Sequence, residues 1–244
     1  MKSSVSLPLV GAATLAASGA LLCATVRRQP RWLAKLLAAR SDTVLFGANT
    51  SQRQVALTFD DGPHPVLTRA LMDVLDRHGA RATFFLLGER VVECPEMARS
   101  LVARGHEVGN HMWDDRPSIL LSRKSFRRDM LRTHERLVAV GASPHFFRPG
   151  SGWFRPSDLA LLREYGYRLA LGTVSVMDLD VCDPERWMRF VSARIQPGAI
   201  VVLHEGLERR ARVVALTDGL LTILRERGYR FVTLGELFDP AYRT

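Results

Sequence analysis

Two adjacent carboxylates, Asp60 and Asp61, close the run Val55-Ala56-Leu57-Thr58-Phe59 and are followed at once by Gly62-Pro63. A short β-prone run ending in carboxylates and a Gly-Pro break reads as the end of a strand. Successive strand side chains point to opposite faces, so Asp60 and Asp61 cannot both be ordinary surface residues unless the strand has ended. Such a pair can divide labour: one carboxylate binds a cation while its neighbour, held ionised by that charge, moves protons. An Asp-Asp-Gly-Pro surface turn is the plain alternative. The other polar residues that end apolar runs decide for a site: His111, Arg148, Asp178, Asp180 and His204. Together they supply a metal ligand, an acid, a base and a fixed cation.

His111 follows Glu107-Val108-Gly109-Asn110, and Asp115 lies four residues later. In a helical turn those two positions share a face, so with Asp61 they make a three-ligand set that leaves a coordination position for water. Asp114 competes with Asp115 for the third place. Arg148 sits in Phe146-Phe147-Arg148-Pro149-Gly150-Ser151-Gly152-Trp153. A guanidinium there can hold a carboxylate, and the two glycines let backbone N–H groups approach a developing oxyanion. His204 ends Ala199-Ile200-Val201-Val202-Leu203, the most apolar run of the chain. Buried there it needs a polar partner, and a carboxylate partner, Asp178 or Asp180, would make it a general acid. Asp178-Leu179-Asp180 by itself also fits the metal clasp of a nucleotide-sugar enzyme, but no glycine-rich nucleotide loop accompanies it.

The elements that carry these residues alternate. Short segments at 55–59, 82–87, 107–110, 145–148, 168–174, 199–204 and 229–233 read as strands. Stretches at 66–78, 95–104, 122–140, 156–165, 184–195 and 213–227 read as helices, three of them closed by Gly79, Gly105 and Gly166. Wholly apolar strands alternating with helices imply an α/β fold with a parallel sheet. About seven such units suffice to close a barrel. In both open and closed forms the site lies at the C-terminal ends of the strands.

The chain has 244 residues, 47% hydrophobic and 24% charged, which is globular composition with room for one large domain. Residues 1–50 read as an apolar leader or anchor with a basic linker, and residues 51–240 as the domain. The segment 7–26 is almost wholly apolar or small, long enough to cross a bilayer. Ser18-Gly19-Ala20 fits a cleaved export signal, whereas Arg27, Arg28 and Arg31 after the apolar segment favour a cytoplasmic domain. The expectation is a membrane-anchored or exported protein of the cell envelope, of open orientation. The net charge of +9 favours anionic surroundings. Aromatic residues do not interleave with the basic clusters, so nucleic acid is not an expected partner. Cys23, Cys94 and Cys182 are too few and too scattered for a disulfide framework.

On these motifs the chain resembles the polysaccharide deacetylases with a NodB homology domain, carbohydrate esterase family 4. Thr58-Phe59-Asp60-Asp61-Gly62-Pro63 matches the first motif. Gly109-Asn110-His111 begins the second, Arg148-Pro149-Gly150-Ser151-Gly152 resembles the third, and Leu203-His204-Glu205 resembles the last. The resemblance implies a distorted, incomplete (β/α) barrel. It implies hydrolysis of N-acetyl groups on an N-acetylglucosamine-containing glycan, chitin-like or peptidoglycan-like. Asp60 would be the base, held by Arg148. Asp61, His111 and Asp115 would bind the metal, and His204, oriented by Asp178 or Asp180, would be the acid. The Ser151 N–H would hold the oxyanion and Leu203 would line the acetyl pocket; the family's tryptophan near the partner aspartate is missing here, where Val174 and Val181 stand, and Trp113 or Trp153 would supply that wall. The family metal is usually Zn2+. A carboxylate, Asp115, where the family usually has a second histidine would admit Mn2+, Co2+ or Fe2+ more readily. A glycan-binding pseudoenzyme and an amide hydrolase acting on a small N-acylated molecule are the alternatives.

Overall fold

The computed structural model describes residues 41–175, 184–208 and 211–239. Its strands are β1 (Val44–Leu45), β2 (Gln54–Gly62), β3 (Thr83–Leu86), β4 (Glu107–Asn110), β5 (Phe146–Phe147), β6 (Arg168–Ala170), β7 (Val174–Ser175), β8 (Ala199–His204) and β9 (Arg230–Val232). The helices between them are α1 (Leu67–Arg77), α2 (Gly88–Glu93), α3 (Pro95–Ala103), α4 (Arg123–Ala139), α5 (Pro156–Glu164), α6 (Pro184–Ser192), α7 (Arg212–Glu226) and α8 (Leu234–Phe238). All strand pairings are parallel, in the order β1-β6-β5-β4-β3-β2-β8-β7, with β9 beside the start of β2.

The apolar strands are buried on both sides, as a helix-covered parallel sheet requires. Val55, Leu57, Phe59, Val201 and Leu203 pack with Leu71, Leu75 and Leu220 of the covering helices. The alternate residues Ala56, Phe85, Phe146, Ala170 and Ile200 fill the concave side, closed off below by Leu234 and Leu237 of α8. A further cluster, around Phe126, Phe147, Leu162 and Tyr167, anchors α4 and α5.

The sheet is an incomplete barrel. Residues 168–174, expected as one strand, form two. β6 lies next to the terminal strand β1 at one side of the ladder, and β7 forms the other end. Their nearest residues, Ala170 and Val174, can be no more than roughly 14 Å apart along the chain. The sheet therefore curls until its ends approach, but no ladder joins them among the described residues. Gly172 marks the crossing: a Cβ there would stand 2.2 Å from Val202 Cγ2 of β8.

Further elements depart from the sequence reading, among them α8 (Leu234–Phe238), which was not anticipated. Val44 and Leu45 already pair with Leu169 and Ala170, so the sheet begins upstream of residue 51. The six-residue helix α2 was not anticipated. Its first N–H groups, on Gly88 and Glu89, donate to the carbonyls of Met112 and Trp113, which ties it to the loop after β4. The long helix starts where expected, with Ser122 Oγ accepting from the Ser125 N–H at 3.1 Å.

Candidate active site

The C-terminal ends of β2, β4, β5 and β8 gather the polar residues. β2 does not stop before the carboxylates. It runs to Gly62, and the ladder with β3 shifts register between Asp60 and Gly62. Asp61 is the extra residue of this bulge, with φ of 68°. A bulge re-aims a side chain. This is how consecutive strand residues, which would otherwise face opposite ways, both reach the polar cluster at the strand ends.

Asp60, 2% exposed, meets Arg148 Nη1 at 2.6 Å. The same Nη1 donates to Thr58 Oγ1 at 2.8 Å, and Arg148 Nε donates to the Ala170 carbonyl at 3.0 Å. The guanidinium also lies over the Phe85 ring, 4.1 Å from its centroid. Arg148 is thus locked by two strands and a ring. Burial pulls its pKa down, and Asp60 opposes that pull. His204 pairs with Asp60 in the β2–β8 register and sets its Nε2 3.9 Å from Asp60 Oδ2. Asp60 stands between a fixed cation and a partly exposed imidazole.

Asp61 and His111 form the second pair, Oδ1 to Nε2 at 3.1 Å, both buried. His111 Nδ1–H donates to the Arg148 carbonyl at 2.8 Å, which aims Nε2 at the carboxylate. Burial lowers the His111 pKa, but Asp60 and Asp61 outweigh it and raise it to about 9. Buried Glu205 takes the opposite course. Burial raises its carboxyl to about 8 despite the Thr68 hydroxyl that donates to it at 2.6 Å.

Asp61 and His111 fit a divalent cation as two donors: a carboxylate and an imidazole whose far nitrogen is fixed by a carbonyl. The third expected donor is not in place. Residues 111–116 contain no helical turn, so the spacing argument for Asp115 does not apply. Asp115 is exposed, and among the described residues no three His, Cys, Asp or Glu side chains converge as a metal-binding group. Asp114 is engaged with Arg116 at 2.7 Å.

Gly150, Ser151 and Gly152 form a tight turn beside the site. The Gly150 N–H donates to Ser118 Oγ at 2.9 Å and the Gly152 N–H to the Pro149 carbonyl at 3.0 Å, and Ser151 between them takes a φ of 61°. Trp153, half-buried, follows this turn. Leu203 is 2% exposed in the helix-facing core beside Phe59, and strand alternation puts it on the face opposite His204. Asp178 and Asp180 lie outside the described residues. Sequence reasoning missed Thr58, Phe85 and Ser118. Thr58 stands two residues before Asp60, so period-2 alternation alone would have put it on the same face.

Non-glycine residues with positive φ are Asp61, Met112 and Ser151 among the described residues, and all three lie in these loops. Such strain persists where surrounding structure enforces it, often at functional sites.

Residues 47–170 match the family profile described as polysaccharide deacetylase. A peptidoglycan-N-acetylglucosamine deacetylase of Bacillus cereus is 32% identical over 189 residues, covering 77% of this chain and 89% of the relative. A chitooligosaccharide deacetylase of a Bradyrhizobium species is 33% identical, covering 79% of this chain and 94% of the relative. Among solved structures, the Bc1960 peptidoglycan N-acetylglucosamine deacetylase superposes with a TM-score of 0.76 at 28% identity, covering 79% of this chain and 91% of that one. A Bacillus anthracis pseudoenzyme of carbohydrate esterase family 4 superposes with a TM-score of 0.73 at 27% identity, covering 80% and 68%. Matches of this extent, to relatives nearly the length of the described domain, establish that the chain belongs to the polysaccharide deacetylase family, hydrolases of carbon–nitrogen bonds.

Proposed function

We propose that this protein is a metal-dependent hydrolase that removes N-acetyl groups from an N-acetylglucosamine-containing glycan, releasing acetate and leaving a free amine. The observation that carries this reading is the buried array Arg148–Asp60–His204 beside the pair Asp61–His111, at 2.6, 3.9 and 3.1 Å. A structural ion pair would not need a half-open histidine on its far side.

Asp61 and His111 would hold the metal, Zn2+ first, with Mn2+, Co2+ or Fe2+ as alternatives. A bound divalent cation supplies polarisation of the amide carbonyl and a more acidic water. Asp60 takes the proton of the attacking water, kept in place by Arg148 and Thr58. His204 gives a proton to the leaving amine nitrogen, with Asp178 or Asp180 as its orienting carboxylate. The Ser151 N–H faces the oxyanion, and Trp153 walls the sugar. Asp115 enters as third ligand only if its loop moves inward. The apolar segment 7–26 and a glycan substrate together support a protein anchored in a membrane of the cell envelope or exported through it. No helix among the described residues is long and apolar enough to span a bilayer, and that segment lies outside them.

Acetate release from N-acetylglucosamine oligomers and from peptidoglycan tests this reading. Asp60→Asn and His204→Ala are each expected to lower kcat by at least about a hundredfold. Wild-type rates in either variant refute the mechanism. A second reading, a glycan-binding pseudoenzyme, is favoured by the exposed position of Asp115 and the missing third donor. It requires glycan binding with no acetate released at any metal supplement.

A further inference from the structure

Buried side chains outside the reacting set form one continuous chain that ends at the His111 loop. Asn110, fully buried at the end of β4, accepts the Met112 N–H on its Oδ1 at 2.9 Å. Its Nδ2 donates to the Met130 carbonyl at 3.0 Å and to Tyr167 Oη at 3.2 Å. Tyr167 Oη is in turn 2.7 Å from His134 Nδ1.

One obligatory donor sets the direction of every bond that Asn110 makes. The Met112 N–H can only donate, so Asn110 must present its oxygen there and its amide hydrogens to Met130 and Tyr167. Tyr167 Oη therefore accepts from Asn110, and it shares its remaining hydrogen bond with His134 Nδ1, the imidazole tautomer deciding which of the two donates. Burial drives the Tyr167 pKa up to about 12, in keeping with a hydroxyl that keeps its proton. The load at the far end is real: Met112, a non-glycine residue, is held at φ of 73°. Its neighbour His111 sits between the Met112 turn and the Arg148 carbonyl, whose own N–H donates to the Asn110 carbonyl at 3.0 Å.

We propose that Tyr167 is a positioning residue. Its hydroxyl, polarised by His134, holds Asn110 in the rotamer that keeps the Met112 turn strained and the His111 imidazole aimed at Asp61. Where it concerns turnover this rests on the deacetylase reading; where it concerns the loop it does not.

The test is Tyr167→Phe in the full chain, which removes only the oxygen and keeps the ring against Phe147 (6.3 Å between centroids). Amide hydrogen exchange is read at Met112 and, for global stability, at Thr83–Leu86 of β3. Exchange at Met112 is expected to quicken by about tenfold or more beyond any change in β3, the effect of one unmade buried hydrogen bond. Acetate turnover is expected to fall about tenfold in kcat with KM unchanged. Phe126→Leu loosens the same core without touching the chain and is expected to move β3 and Met112 exchange together and to leave kcat unaltered. If Met112 exchange in Tyr167→Phe stays at wild-type level, or shifts only as much as β3 does, the proposal is overturned. If the wild type releases no acetate, the functional reading fails while the exchange result still decides the positioning role.

Discussion

Replacing Arg148 by methionine tests how the site is built. The side chain is 4% exposed and donates to Asp60, Thr58 and the Ala170 carbonyl. Methionine keeps most of the volume but leaves the Asp60 carboxylate buried with no guanidinium. Removing one partner of a buried ion pair costs about 3–5 kcal/mol, chiefly for the stranded charge. For a domain of this size each kcal/mol lowers Tm by about 2–4 °C, so Arg148→Met is expected to melt about 6–20 °C lower and still fold. Asp60→Asn in the Arg148→Met background removes the stranded charge and is expected to restore about 2–3 kcal/mol. Urea unfolding of the wild type, both single variants and the double variant, in chelator at neutral pH, gives the coupling directly. A loss under about 1 kcal/mol in Arg148→Met, or no recovery in the double variant, refutes the view that Arg148 exists to hold a buried carboxylate. Neither variant is expected to hydrolyse substrate, so restored stability without restored activity separates the two roles.

Other consequences follow from the same geometry. His111 holds its proton to about pH 9 when folded, against 6.5 otherwise. Its contribution to stability is therefore full below about pH 6.5 and is lost as pH rises through 9. Denaturation in chelator should show that loss in the wild type and not in His111→Gln. Glu205 keeps its proton to about pH 8 when folded, against 4.5 otherwise. The unfolded chain releases that proton first, so stability falls from about pH 4.5 to 8. Glu205→Gln should raise Tm at pH 8 while leaving pH 4 nearly unchanged; an equal fall at both pH values would contradict this. Gly109→Ala would put a Cβ 2.6 Å from Phe85 Cε1 and 3.0 Å from the Phe146 carbonyl. It should cost about 1–3 kcal/mol and tilt the ring beneath Arg148, read as lower Tm together with lower kcat.

The strongly periodic parts of the fold were legible in the residues. β4 and β8 begin and end where the sequence places those strands, and Ser122 caps α4 as its chemistry requires. Short or conditional elements were not. Val44–Leu45 is two residues long and owes its existence to pairing with β6. α2 has no side-chain cap and borrows its terminal partners from the 112–113 backbone. Residues 168–174 read as one strand because Leu169, Ala170, Leu171 and Val174 are apolar; Gly172-Thr173 inside the run was the sign that the chain changes ladder partners there. The polar ends of β2, β4, β5 and β8 were identified as a set because parallel sheets place them together. Asp60 and Asp61 do both reach the strand-end cluster, but a bulge rather than a strand end turns Asp61. Asp115 failed for a local reason: the i, i+4 argument needs a helical turn, and the loop has none. Leu203 is placed by period-2 alternation on the core side, a step available from sequence that the motif resemblance obscured.

Metal dependence of acetate release is the most direct test of the central claim. The protein is stripped with chelator, then assayed on N-acetylglucosamine oligomers and peptidoglycan with Zn2+, Mn2+, Co2+, Fe2+ or none. Release that returns only with added metal, and is absent in a folded Asp61→Ala variant, is the expected result. Release that persists in chelator, or in Asp61→Ala, or that no metal elicits from folded wild-type protein, would contradict it.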